Sequence, residues 1–239
     1  MTLKDKRVVV IGGSSGLGLA TAKLAAEQGA SVLIAGRSRE KLDRAIQEIG
    51  RGAQARPLDV THEAEVAAFF DEGGPIDHLA TPGNRGARGP FLELPMEKAR
   101  AGFDSKFWGQ YLAARSAAPH IRPGGSIVLM AGTFSQKPGP GSAPQSSINS
   151  AIEGLGRALA FELAPHIRVN VISPGTIDTP MYAWMPAEQH ASFFRSVAEA
   201  SLLKRVGQSE DVAHAIVFLM TNPHVTGLTL YLNAGAFLV

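Results

Sequence analysis

The sequence predicts an α/β fold: a doubly wound parallel sheet of about seven strands with helices on both faces. Three observations carry this. Short, continuous apolar runs recur along the chain, as expected of strands buried on both faces. Segments of helical period separate them. A glycine-rich turn follows the first apolar run, where such a sheet binds phosphate groups.

The elements follow in order. Residues 8–11 (Val-Val-Val-Ile) form the first strand. Residues 17–28 form a helix with Leu17, Ala20, Leu24 and Ala25 on one stripe, ended by Gly29. A second strand spans 31–35, a second helix 39–49 and a third strand 55–58. A helix over 63–71 is capped by Asp59 or Thr61. Residues 76–80 form a fourth strand, 98–118 a long helix and 126–130 a fifth strand. Residues 136–144, with Pro138, Pro140 and Pro144, read as a functional loop. A long helix over 146–163, a strand over 169–173, a helix over 210–220 and a strand over 229–232 complete the chain. These units fill its length, so residues 1–239 are expected to form a single domain.

Composition narrows the function. The chain is 45% hydrophobic and 18% charged, with a net charge of +2. No basic cluster exceeds three residues, which disfavours nucleic acid as a partner. No run of 18 apolar residues exists for a membrane span. The absence of cysteine excludes disulfides, thiolate metal sites and a cysteine nucleophile, and no metal site is expected. A cytoplasmic enzyme or small-ligand binder is the expectation. The 26 glycines exceed the roughly 7% of average proteins and need a local explanation.

Part of that explanation is the turn Gly12-Gly13-Ser14-Ser15-Gly16-Leu17-Gly18. Glycines let backbone N–H groups approach a phosphate, and the following helix N-terminus adds partial positive charge. Its place between strand and helix in the first βαβ unit points to a Rossmann-like fold and a dinucleotide ligand; a plain glycine-rich strand–helix turn is the alternative. An acidic residue after the second strand would select NAD. The chain has Arg37-Ser38-Arg39 there, whose charge-assisted bonds suit a 2′-phosphate, so NADP(H) is expected and NAD is the lesser candidate. Arg37 and Arg39 also read as the start of a solvated helix. Asp59-Val60 either contacts the adenine or serves as a cap.

These motifs resemble the short-chain dehydrogenase/reductase family along nearly the whole chain. Gly12-x-x-x-Gly16-x-Gly18 matches its dinucleotide turn and Asp59-Val60 its adenine contact. The run from Arg168 to Pro174-Gly175 matches the strand and turn beside the nicotinamide. Thr176-Ile177-Asp178-Thr179-Pro180 matches the segment holding carboxamide and pyrophosphate. Asn233-Ala234-Gly235 alters the usual Asp-Gly-Gly. The resemblance also implies a Tyr-x-x-x-Lys pair, a Ser and an Asn in catalysis. Alignment puts Gln145 and Asn149 at the Tyr and Lys positions, Gly132 (with Thr133 adjacent) at the Ser position and Lys106 at the Asn position. The family's Asn-Asn-Ala-Gly turn reads Thr81-Pro82-Gly83-Asn84. None of Tyr111, Tyr182 and Tyr231 has Lys four residues on.

The candidate catalytic set is therefore Lys106, Thr133, Gln145 and Asn149. Lys106 either restores a cation to the pocket or snorkels along a helix. Ser135 and Ser142 are further candidates to orient a carbonyl, and Tyr182 and His190 to swing in as acids; His78 reads as structural. The segment 181–206 carries Met181, Tyr182, Trp184, Met185, Phe193 and Phe194, and reads as an apolar substrate lid or as a core or subunit contact. Three functions compete: an atypical NADP-dependent oxidoreductase for a small apolar substrate, a non-catalytic NADP-binding protein, and a non-redox isomerase or cyclase. The resemblance implies a homotetramer or homodimer.

Overall fold

The computed structural model describes residues 2–83 and 86–239. Its strands are β1 (Arg7–Ile11), β2 (Ser31–Gly36), β3 (Gln54–Pro57), β4 (Ile76–Ala80), β5 (Ile121–Met130), β6 (Ile167–Pro174) and β7 (Thr229–Leu232). Its helices are α1 (Gly16–Glu27), α2 (Arg39–Ile49), α3 (Glu63–Asp71), α4 (Met96–Phe103), α5 (Gly109–Ala117), α6 (Ala143–Leu163), α7 (Ala187–Glu199) and α8 (Ser209–Thr221). All seven strands pair in parallel, in the order β3-β2-β1-β4-β5-β6-β7.

Alternation along each strand builds two cores. Val9, Ile11, Leu79, Ile127, Leu129 and Val171 pack under Phe69 and Phe70 of α3, Ala113 and Ala117 of α5, and Ile148 and Ile152 of α6. Val8, Val10, Ile34, Ala80, Val128 and Ile172 face the other way, against Ala22 and Ala25 of α1, Leu42 of α2, and Ile216 and Val217 of α8. The chain winds outward from β1 to β3, then returns to β4 on the far side of β1. The carboxyl ends of β1 and β4 are thus the switch point where such sheets open a ligand crevice.

Several boundaries differ from the sequence reading. The helix expected over 98–118 is three pieces: α4, a π-helical turn at Asp104–Trp108, and α5. The Gly109 N–H bonds Asp104 O, the i→i+5 bond of that turn. α6 starts at Ala143 because Pro144 sits in its first turn, where a missing N–H costs nothing. α3 is capped at His62 and by neither Asp59 nor Thr61; Asp59 instead accepts from Thr61 N (3.0 Å) and Thr61 Oγ1 (2.8 Å). The segment 181–206 contains α7, for which no separate range was expected.

Two buried polar groups hold the sheet. His78 shares a 2.9 Å hydrogen bond with Ser126 Oγ between β4 and β5, and burial pushes its imidazole down to about 4, so it is neutral near pH 7. Asp77 sits at the amino end of β4 and accepts from Arg7 N (2.8 Å), Lys6 Nζ (3.2 Å) and Arg122 (3.0 Å), joining β1, β4 and β5. Lys6 and Arg122 are half-exposed and contribute little. The lost bond to Arg7 N–H sets the scale: Asp77→Ala is expected to cost about 2 kcal/mol. A thermal melt should show Tm lower by roughly 4–8 °C; an unchanged Tm would remove Asp77 as a clamp.

Candidate active site

The glycine turn is built at the switch point. Gly12 has φ +84, and a Cβ there would overlap the Gly83 backbone, so β1 and the residues after β4 pack glycine on glycine at this point. Gly83 N bonds Ile11 O at 3.1 Å. Gly18 presses against Gly12 O with no room for a side chain, which seats α1 on the turn. Ser15 is the N-cap of α1, but its side chain bonds no backbone N–H, and the first turn holds no acidic residue. The helix therefore offers its first N–H groups to an anion. Ser14 stands beside Gly36 at the end of β2, and Leu17 packs on the adjoining core.

The segment after β6 closes over this turn. Gly175 N bonds Leu232 O at 2.7 Å, fixing the turn that starts at Pro174. Ile177 is buried against Gly207. Thr179 stands over Gly16: a Cβ on Gly16 (φ +50) would lie 3.5 Å from Thr179 Cβ. Thr179 Oγ1 and Ser173 Oγ are buried with no hydrogen-bond partner among the described residues. An unpartnered Thr179 hydroxyl beside uncapped helix N–H groups, and a second unpartnered hydroxyl at the end of β6, are what a dinucleotide's phosphates and carboxamide would satisfy, so these residues fit such a cofactor.

At the far end, Arg37, Pro57, Leu58, Asp59 and Glu65 line an open cleft of about 220 Å³. Arg37 is exposed with no ion pair among the described residues. Ser38 caps α2 by accepting from Lys41 N (3.3 Å), and Arg39 pairs with Asp43 at 2.9 Å. Of the three, Arg37 is the one whose side chain lines this cleft. Val60 packs against Gly109 at the start of α5. The Thr61 backbone N–H holds the Asp59 carboxyl below its usual range.

The candidate catalytic residues converge. Lys106 lies on the π turn and is buried, 6% exposed; its Nζ donates to Asn149 Oδ1 (2.8 Å) and Ala131 O (2.8 Å). Asn149 Nδ2 donates to Gly132 O (2.9 Å), and Gln145 Nε2 lies 3.4 Å from Asn149 Oδ1. Thr133 follows on the short helical turn Thr133–Ser135, half-buried. Burial drives the Lys106 amine down to about 7, because its partners are neutral acceptors and no carboxylate balances the charge. Snorkelling is ruled out by this burial. Of the related expectations, Asn84 lies outside the described residues, while Ser142 is buried and donates no bond into this cluster.

The sequence reading missed what holds the cluster. Gln110, 1% exposed, accepts from Thr81 Oγ1 (2.6 Å) and Met130 N (2.7 Å) and donates to Lys106 O and Met130 O (both 2.9 Å). It clamps the π turn to the end of β5. Glu153, one turn beyond Asn149 on α6, accepts from Ser135 Oγ (2.5 Å) and Tyr231 OH (2.9 Å). Burial and Glu153 push the Tyr231 phenol up to about 12. Gln110 and Glu153 stand four residues after Lys106 and Asn149; that spacing was the available signal.

In the lid segment, Tyr182 packs on Phe193 and Phe194 at 5.5 and 5.2 Å between centroids, and Phe194 is buried. Met185 is half-buried; Trp184 is 73% exposed. His190 stacks on Phe194 and lies 3.6 Å from Asp178, so it is occupied within the lid. Burial raises the Tyr182 phenol above its ordinary value.

The pattern of the enoyl-(acyl carrier protein) reductase family matches residues 12–236. A short-chain dehydrogenase/reductase of Stachybotrys chlorohalonatus is 32% identical over 99% of both chains. A 3-oxoacyl-acyl-carrier-protein reductase of Rattus norvegicus is 32% identical over 97% of this chain and 98% of its own. The crystal structure of a small-chain dehydrogenase in complex with NADPH superposes with a TM-score of 0.86, at 31% identity, over 99% of this chain and all of the other. The reductase/Diels-Alderase MalC of Malbranchea aurantiaca superposes with a TM-score of 0.91, at 27% identity, over 99% of this chain and 98% of its own.

Proposed function

Because the chain belongs to the short-chain dehydrogenase/reductase family, we propose that it is an NADP(H)-dependent oxidoreductase for a small apolar carbonyl or alcohol. The observation that carries this is Lys106: a buried cation at the carboxyl end of the sheet, bonded to Asn149 and to the backbone that continues β5. In this reading the residues at the family's Tyr, Lys, Ser and Asn positions are replaced, and Lys106 takes over the proton chemistry.

A bound nicotinamide would supply or take up the electron pair of the carbonyl–alcohol interconversion. The chain's own residues do the rest. The glycine turn and Thr179 would hold the cofactor's pyrophosphate, and Pro174, Gly175 and Ile177 would hold its nicotinamide end. Gln145 and Thr133 orient the carbonyl oxygen by hydrogen bonds; neither titrates near neutral pH. Lys106, with its amine near 7, gives a proton to that oxygen in reduction and recovers it in oxidation. Asn149 aims the amine. Tyr182, Met185 and Phe194 exclude water from the apolar side of the substrate. The test is NADPH absorbance with a panel of ketones, aldehydes and imines: turnover supports the reading, and silence across the panel counts against it.

Cofactor preference gives a sharper expectation. Arg37→Ala should weaken NADPH binding by roughly 10–100-fold, the loss of one charge-assisted interaction, and leave NADH nearly unchanged. Arg39→Ala should have a small effect, because Arg39 is engaged by Asp43. Titration of cofactor fluorescence checks both; equal NADH and NADPH affinities in the native protein would remove the preference.

A second reading has a specific support. The MalC neighbour is described as a reductase and a Diels-Alderase, so a close relative of this scaffold is linked with ring closure. Product formation without NADPH consumption would favour it here. The same family reading includes a homodimer or homotetramer. Trp108 on the π turn, Phe161 on α6 (89% exposed) and Leu238 near the chain end leave apolar surface open. Light scattering should show a dimer or tetramer; a monomer would end this part of the proposal. No helix among the described residues is long and apolar enough to cross a membrane.

A further inference from the structure

We propose that Arg88 makes this site selective for a carbonyl compound that carries an anionic group, a carboxylate or phosphate ester, at the end remote from the reacting carbon. The inference rests on the oxidoreductase reading for the reacting end of the substrate and narrows its apolar substrate to an amphipathic one; the anionic end rests on Arg88 alone.

Residues 86–89 run along the rim of the catalytic cluster. Gly86 is pressed against the Gln145 side chain, with no space for a Cβ. Ala87 is buried against Gly102 of α4, and Gly89 N bonds Gly141 O at 2.9 Å. The backbone on both sides of Arg88 is therefore pinned, two residues from a contact with Gln145. Its guanidinium lies 4.9 Å over the ring of Phe134, the residue after Thr133, and makes one long bond to Pro140 O (3.4 Å). Its charge also reaches the Tyr182 phenol on the lid. The side chain thus stands among three segments that frame the site: 86–95, 132–142 and the lid.

Its recorded partners are neutral or aromatic, and no carboxylate pairs with it among the described residues. A guanidinium has five donors, and one long bond leaves most of them open. Stacking on Phe134 preorganises the plane, so little freedom is lost when an anion binds bidentately. Arg88 is exposed. Phe91 and Leu92 follow it in the chain, Met181 and Trp184 lie on the lid segment, and all four are more than 60% exposed. Exposed apolar side chains on the same segments as this cation suit an amphipathic molecule: an apolar chain between a carbonyl and an anionic end.

The test compares three ketones of equal chain length: a keto acid, its methyl ester and a keto phosphate monoester. The readout is the ratio of kcat/KM for each anionic ketone to that for the ester. In the native protein at least one ratio should exceed about 10, and the larger identifies the anion. Arg88→Gln should collapse it by about 10–100-fold, the scale of a charge-assisted interaction. Arg88→Lys should restore part of it, whereas a purely stacking role for Arg88 would show no such rescue. A ratio near one in the native protein, or a ratio unmoved by Arg88→Gln, overturns the inference. If no ketone turns over, quenching of tryptophan fluorescence by the keto acid and keto phosphate, with NADPH present, replaces the kinetics. Arg88-dependent binding there upholds the anion site while the redox reading falls; absence of binding overturns the anion site as well.

Discussion

Lys106→Met should lower carbonyl turnover by about 10²–10⁴-fold, the usual cost of losing a general acid. Methionine keeps the volume of the side chain and removes the amine. The native rate of reduction should be highest where Lys106 is protonated and fall as pH rises through about 7; the rate of alcohol oxidation should rise through the same pH. Both limbs should vanish in the variant. Stability supplies an independent readout. Unfolded, this lysine ionises near 10.4. Between about 7 and that value the unfolded state binds a proton that the folded state does not, so this group's contribution favours folding increasingly as pH rises across the window. The variant should lack that slope in Tm against pH. A pH–rate profile and melts at matched pH check the two arms. An unchanged limb near 7 in the variant would remove Lys106 as the proton donor.

Gly12→Ala should abolish cofactor binding and lower Tm by roughly 4–24 °C. Two costs combine. A residue with Cβ at φ +84 is strained by about 1–3 kcal/mol. Its Cβ would also meet the Gly83 backbone, which cannot rotate aside as a flexible side chain can; overpacking of this kind costs a further 1–3 kcal/mol, roughly. Gly124→Ala separates the terms. Gly124 has φ +85 but open space where a Cβ would stand. That variant should show the strain alone, a smaller fall in Tm, and retain cofactor binding. Equal effects from the two substitutions would contradict the role given to the β1–β4 contact.

The contrast between Gly12 and Lys106 also shows what was legible in the sequence. The glycine turn is local: seven consecutive residues between an apolar run and a helix carry it. The bounds of α2, α3, β4 and β7 were likewise readable, because apolar runs and turn residues delimit them. The early start of β5 was not. Ile121-Arg122-Pro123-Gly124-Gly125 looks like a turn, and only pairing of Ile121 with Ile76 and Gly125 with Ile167 makes it part of the strand. The π turn was hidden for a related reason: the segment 98–118 reads as continuous helix, while Gln110 ties that turn through Lys106 O to Met130, twenty residues further on. Lys106 and Asn149 lie 43 residues apart, and Tyr231 and Glu153 lie 78 apart. No spacing reports such contacts; the parallel sheet creates them by bringing the carboxyl ends of its strands together.

The same geometry changes how the site should be rebuilt. Placing Tyr and Lys at positions 145 and 149 alone would set a second ammonium against Lys106, which already bonds Asn149 at 2.8 Å. Two buried like charges would oppose each other. The informative variant therefore also carries Lys106→Asn, together with Gln145→Tyr and Asn149→Lys.

Redox chemistry by this pocket's own residues is checked most directly by following NADPH oxidation and alcohol product together in the native protein. One alcohol should form per NADPH consumed, at a rate that falls as pH rises through about 7. NADPH that binds and is never oxidised by the native protein, while the triple variant reduces the same ketone, would contradict the redox reading.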